Sequence, residues 1–355
     1  MRSKLILNIR NRNVKSQNDE IELLEESRMT EKKIETCTFC NEDGWHCTEP
    51  AGESGLCYWH NPDIDKSNDD IKQKIEQWVR DGKPLDGFQL AKTKLQDLDL
   101  VHRGSRIGYK CRNADFYRAD LTEAHFFGLD LRGSSLMKSK LVCANLHCAK
   151  LDNCNLLGAD LSDARLETID WGVMFKQERR AIKAMKEWHR EEAVALCQET
   201  EEVARNIRKQ CERQGLFETA GFFFKKEMTY RRYQMPKTSY KRWISKAVDV
   251  FCGYGESPLR VVMFSLAFIF ICALAYFFLG TAEQNPIYPD ITTGFLGLVL
   301  EFLNAVYFSV VTFTTLGYGD ISPSGAARFI AAFEAFLGSF TMALFVVVFV
   351  KKMTR

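Results

Sequence analysis

The chain has 355 residues, with 48 Lys and Arg against 46 Asp and Glu, and a net charge of +2 is too small to suggest nucleic acid as a partner. No apolar stretch opens the sequence, which speaks against a cleaved signal peptide. Residues 1–35 are polar and charge-rich and read as a flexible leader, within which 5–9 has the composition of a segment able to pair with something.

Cys37, Cys47 and Cys57 then stand ten residues apart, and His60 follows Cys57 by three. The pattern C-x9-C-x9-C-x2-H offers four soft or borderline donors, as a tetrahedral zinc site requires. Gly44, Pro50, Gly52 and Gly55 supply turns that fold the donors inward. Cys40 is a spare or an alternate to Cys37, and His46 is an alternate to a cysteine. A disulfide knot is the rival reading, opposed by a reducing cytosol; a redox sensor built on the same thiolates is another. Residues 36–62 resemble small Cys3His modules that accompany other domains in bacterial proteins. That resemblance implies structural Zn2+ on Cys37, Cys47, Cys57 and His60.

Residues 63–84 form a connector, with a polar helix expected over 70–81 and Ile71, Ile75 and Val79 on one stripe. From Phe116 every fifth residue is large and apolar, through Leu121, Phe126, Leu131 and onward to Trp171. Two positions earlier the residue is mostly small, as at Ala114, Ala119, Ala144 and Ala164. Period five fits neither a helix nor a flat strand, but it fits a square coil with five residues per side. Residues 85–172 resemble the pentapeptide-repeat family, which implies a right-handed quadrilateral β-helix. Leu85, Leu90, Leu95 and Leu100 form an earlier block, and the register slips by one between Val101 and Cys111. The solenoid reads as a rigid spacer or docking surface without chemistry, and its balanced charge opposes mimicry of DNA. Cys111, Cys143, Cys148 and Cys154 read as core or surface filling.

Residues 173–238 are expected to be helical. Ala181, Ala184, Met185 and Trp188 share one face, Val203, Ile207 and Cys211 another, and Gly215 breaks the run before Phe217 and Ala220 restart it. Residues 204–227 resemble one tetratricopeptide-type helix pair, which implies packing against symmetry mates or binding of a peptide. Residues 239–256 read as an amphipathic interfacial helix, with Trp243, Ile244, Val248 and Phe251 opposite Lys241, Arg242 and Lys246. It either couples the preceding domain to the membrane or anchors it passively. Gly253-Tyr254-Gly255 at its end reads as a turn.

Two apolar runs, within 259–280 and 327–350, are long enough to cross a hydrocarbon core of roughly 30 Å. Between them lies a third, 295–314, whose last part, 303–314, has the length of a half-helix. It leads into Thr314-Thr315-Leu316-Gly317-Tyr318-Gly319-Asp320. Consecutive carbonyls can point one way only if alternate residues take left-handed dihedrals, which glycine does freely at 317 and 319. Such carbonyl rings replace the hydration shell of an ion. A half-helix would aim its negative C-terminal end at the pore centre, favouring a cation. Glu334 lies inside the second span, where a charge costs roughly 2.5–3.5 kcal/mol on insertion scales, and is either a structural hydrogen-bonding group or a gating proton site.

Residues 257–355 resemble the two-transmembrane potassium channel pore. The resemblance implies a filter of Thr315, Leu316, Gly317, Tyr318 and Gly319, supported by Thr314, Tyr307 and Asp320, with K+ as the permeant ion. Leu316 fills a slot that is usually Val, which leaves a weakly selective cation pore as an alternative. Val311 stands where some members carry a glutamate behind the filter. Gly338 falls at the inner-helix hinge position; close small-residue packing is the other reading. One loop supplies a quarter of a carbonyl ring, so a C4 homotetramer follows. Basic residues crowd both outer ends of the spans, whereas 281–300 has none, so the positive-inside rule puts both termini in the cytosol and 281–300 outside the cell membrane. No arginine ladder precedes the pore, so strong voltage gating is not expected. Altogether the sequence reads as a multidomain membrane protein with no covalent catalysis, in which the N-terminal cytosolic part controls a potassium-selective pore. A protein partner or ligand on that part, and lipids around the pore, are the expected company. The alternative is a membrane-anchored scaffold or sensor whose solenoid binds a partner.

Overall fold

The computed structural model describes residues 36–105, 107–279 and 294–353. The leader 1–35, Gly280, most of the expected external segment and the last two residues lie outside them. The chain divides into two compact units, 1–175 and 176–355.

In the first unit, α1 (Lys72–Arg80) buries Ile75 and Val79, with Ile71 buried just before it. The solenoid follows. Coils stack through parallel bridges twenty residues apart, such as Lys110↔Asp130, Ser135↔Asn155 and Lys150↔Asp170. Among the described residues no extended strand forms. A side of five residues must turn at each corner, which leaves only one residue per side in paired, extended backbone. The corners use positive φ at intervals of five, at Arg118, Glu123, Lys138, Cys143 and Cys148 among others. The large apolar residues and the small ones two positions earlier are buried together: Leu131, Leu146, Ala144 and Ala164 have no exposed surface. Between the earlier block and the rest, bridges span twenty-six residues, as at Gln89↔Asp115 and Asp99↔His125. The surplus over twenty is the loop near 101–109, where the fivefold register slips. Cys111 and Cys154 sit in the core, while Cys143 is exposed.

The second unit is helical: α2 (Lys176–Lys186), α3 (Arg190–Arg213), α4 (Phe217–Gln234), α5 (Tyr240–Cys252), α6 (Pro258–Leu279), α7 (Gly294–Phe313) and α8 (Ala327–Met353). Ala181, Ala184, Ala193, Leu196, Cys197 and Tyr230 form the core of the α2–α4 bundle. Trp188 does not share the face of Ala181 and Ala184. α2 has ended before it, and Trp188 takes φ +62° in the turn into α3. Gly215, at φ +73°, closes α3. Gly253 caps α5 with φ +56°, so the Gly253-Tyr254-Gly255 segment is a turn between α5 and α6.

α6, α7 and α8 are each long and apolar enough to cross a membrane. α7 is one continuous helix from Gly294, nine residues ahead of the expected half-helix 303–314. α6 meets α7 and α8 through Cys272, Tyr276, Ala305, Phe308, Ala327 and Ala331. Polar contacts tie the bundle to this domain. Lys351 of α8 pairs with Glu256 of the α5–α6 turn, Lys225 of α4 donates to the Ser257 hydroxyl at 2.6 Å, and Arg232 of α4 pairs with Asp249 of α5 at 2.9 Å.

Candidate functional site

The segment after α7 shows how backbone conformation could build an ion site. Thr315, Gly317 and Gly319 all have positive φ, +57°, +58° and +78°, and alternate with Leu316 and Tyr318. Nothing lies within 4 Å of where a Cβ would stand at Gly317 or Gly319, so it is dihedral angle and not crowding that calls for glycine. Thr315 adopts the same region without being glycine, a cost that sequence reasoning missed. The segment is anchored to the helix end: Thr315 N–H donates to the Thr312 carbonyl and Leu316 N–H to that of Val311, both at 3.0 Å. The Thr314 hydroxyl donates back to the Val310 carbonyl at 2.7 Å. At the other end, Tyr307 O–H donates to Asp320 Oδ2 at 2.7 Å. Leu316 and Tyr318 are exposed within one chain.

Behind the segment, Glu334 is wholly buried. Tyr276 of α6 donates to its Oε2 at 2.6 Å, and the Ser309 hydroxyl of α7 meets its Oε1. Ser309 Oγ also lies 2.9 Å from the Ile269 carbonyl. One carboxyl group thus joins three helices, and the sequence reading named neither Tyr276 nor Ser309. Gly338 packs on the end of α7: a Cβ there would stand 2.0 Å from the Phe313 carbonyl oxygen. That approach alone demands glycine at 338.

In the first unit, Cys37, Cys47, Cys57 and His60 converge, all buried, with donor atoms within 4.8 Å of one another. Cys47 and Cys57 Sγ are 3.8 Å apart, and His60 Nδ1 lies 3.1 Å from Cys57 Sγ and 3.6 Å from Cys37 Sγ. A tetrahedron with bonds of about 2.3 Å to sulfur and about 2.0 Å to nitrogen has edges of roughly 3.5–3.8 Å, so the donor set fits such an ion. His60 Nε2 sits 3.1 Å from the Asp86 carbonyl, which orients the ring to offer Nδ1. Phe39 stacks on the ring at 3.9 Å. Burial, with Cys57 alongside, pushes the Cys47 thiol up to about 12, and burial lowers His60. A cation bound among the four donors would draw the cysteines to thiolates. Cys40 is exposed, with Sγ 3.7 Å from His46 Nε2, and neither residue is in the cluster. Arg112 in the solenoid clamps the module, donating to Asp86 at 2.8 Å and Asp43 at 2.5 Å.

Residues 287–355 match the family described as ion channel, and 110–136 and 138–167 match pentapeptide repeats in eight copies. The chain carries an ion-channel domain and pentapeptide repeats. Comparison with curated proteins gives no match. Among solved structures, the chain is similar to HetL, a pentapeptide repeat protein involved in heterocyst differentiation regulation in Nostoc sp. strain PCC 7120. Identity is 30%, coverage 23% of this chain and 38% of that one, and the TM-score 0.15. A pentapeptide repeat protein from the Arabidopsis thaliana thylakoid lumen is 24% identical over 31% of this chain and 79% of its own, at TM-score 0.16. Rfr23 from the cyanobacterium Cyanothece 51142 is 20% identical over 28% and 94%, at TM-score 0.15. The chain spans well under half the length of HetL.

Proposed function

We propose that the protein is a homotetrameric, potassium-selective channel of the cell membrane, with both termini in the cytosol and its gate under control of the N-terminal part. The observation that carries this reading is the alternation of positive φ at Thr315, Gly317 and Gly319 directly after an apolar helix. Carbonyls aligned in this way, from four chains around one axis, replace the water shell of K+. Tyr307 and Asp320 brace the outer end of the filter, and Thr314 its base. Glu334 holds the inner helix to the pore helix. Gly338 admits the close helix contact and, as a helix-interior glycine, also permits bending. α7 enters the membrane and returns as the filter loop, because irregular backbone at membrane depth is stable only when buried or lining a wet cavity. The cysteine and histidine cluster holds a structural Zn2+ that closes the N-terminal module.

The test is Gly317→Ala in protein reconstituted into liposomes. A Cβ at φ +58° strains the carbonyl row, so potassium flux is expected to vanish while the tetramer persists in size-exclusion chromatography. Unchanged selective flux in that variant sinks the filter assignment.

A further inference from the structure

Trp188 breaks the helical pattern for a reason visible around it. It is 81% exposed on a left-handed backbone, at the rim of a cavity of about 490 Å³. That volume is within the range of small-molecule sites, roughly 300–1,000 Å³. The cavity lies among the end of α2, the first turns of α3 and the α4–α5 connection. Trp188, Tyr233 and Met185 give it apolar walls, and the buried Cys197 lies among them.

Arg190, Lys237 and Arg242 also line it. Among the described residues, none of the three has a carboxylate within ion-pair distance. Two acids near Arg190 face other cations: Glu187 meets Lys183 and His189, and Glu192 meets Arg180 and His189. Lys237 stands 4.9 Å over the Trp188 ring, and Arg242 donates to the Met235 carbonyl at 2.7 Å. Basic residues beside a span are expected from topology alone, but only within about 15–20 residues of it. Arg190 comes from far upstream, so the fold itself has gathered the third cation.

We propose that this cavity binds a small soluble organic anion, a phosphate monoester on a flat apolar body. Guanidinium forks pair bidentately with carboxylate and phosphate alike, but three positive charges suit a phosphate dianion better than a single carboxylate, and the exposed Trp188 ring, with Lys237 on one face, takes the flat body. The site is wired toward the pore. Met235 and Lys237 belong to the connection between α4 and α5. Just before it, Arg232 pairs with Asp249 of α5, which in turn accepts from Arg260 of α6 at 3.2 Å. A ligand that fixes the connection therefore biases the entry to α6. This consequence rests on the channel reading; the binding itself does not.

The experiment uses the full chain in nanodiscs of zwitterionic lipid, titrated calorimetrically with phenyl phosphate. Saturable binding at one per subunit is expected, with inorganic phosphate binding about tenfold or more weakly because the apolar walls stay empty. Arg190→Gln with Lys237→Gln should weaken phenyl phosphate by about tenfold or more. Trp188→Ala should weaken it with no effect on inorganic phosphate. Absence of saturable binding, or equal binding in wild type and the double variant, overturns the site. Binding confined to phosphatidate-containing discs overturns the soluble ligand. Potassium flux measured without ligand reads the channel assignment separately: binding without flux would fault that assignment and leave the site standing.

Discussion

The solenoid and the pore domain are both rich in large apolar side chains, yet they treat them in opposite ways. Leu131 and Leu146 are fully covered by their own chain, whereas Phe329 and Phe336 keep 82% and 71% of their surface. Each solenoid coil bridges to the next, twenty residues on from Lys110 onward and twenty-six residues on in the first block. The pore helices satisfy their backbone within themselves and leave many large side chains uncovered by their own chain, open to the lipid and neighbouring subunits of the proposed channel. The first region completes its core within one chain; the second leaves large apolar side chains uncovered, as the proposed tetramer in a membrane requires.

Four perturbations probe that contrast. The largest effect is expected from metal removal, because a structural zinc site in a small module supplies on the order of 10 kcal/mol of apparent folding free energy. A strong chelator should make residues 36–62 exchange rapidly in hydrogen–deuterium measurements while the solenoid stays protected. Metal analysis that finds no zinc in the native protein contradicts the assignment. Next, Leu131→Ala should cost about 2–5 kcal/mol in the solenoid, since a dry, closed core cannot collapse around the void. Protection should fall in the coils flanking residue 131, with potassium flux retained; loss of the tetramer would mean that the two regions fold as one.

Gly338→Ala works on the other region. Its new methyl meets the Phe313 carbonyl, and overpacking of this kind costs about 1–3 kcal/mol. Tetramer melting should fall by several degrees and flux should drop, with the solenoid unaltered. A variant as stable and active as wild type would show that the contact yields easily.

The smallest effect concerns pH. Hydrogen bonds from Arg112 and Lys110 hold Asp43 down to about 2, below its usual 3.8. A carboxylate with a depressed folded value contributes its full stability above the unfolded value and loses it as pH falls through the folded one. The clamp on the module should therefore be intact above about pH 4 and weaken toward pH 2. Arg112→Gln combined with Lys110→Gln should remove that acid-dependent step from the exchange of residues 36–62. If the step persists, another carboxylate sets it.

Much of this architecture is legible in the sequence because it is periodic or local. The fivefold spacing from Phe116 to Trp171 exposes the coil, and the interval of ten between Cys37, Cys47 and Cys57 exposes the donor set. Three features were not legible. The left-handed corners fall on residues such as Arg118 and Lys138, whose side chains carry no signal for positive φ. The partners of Glu334 lie 58 and 25 residues away, and only helix packing brings Tyr276 and Ser309 to it. Trp188 continues the spacing of Ala181 and Ala184, but α2 stops at Lys186, and periodicity cannot see where a helix ends.

The central claim is selective conduction through the segment 315–319. Its most direct test is flux from purified, reconstituted protein under a potassium gradient, with sodium replacement and barium block. The account predicts barium-sensitive flux that collapses when sodium replaces potassium. Equal flux of the two ions would contradict it and leave a non-selective cation pore in its place.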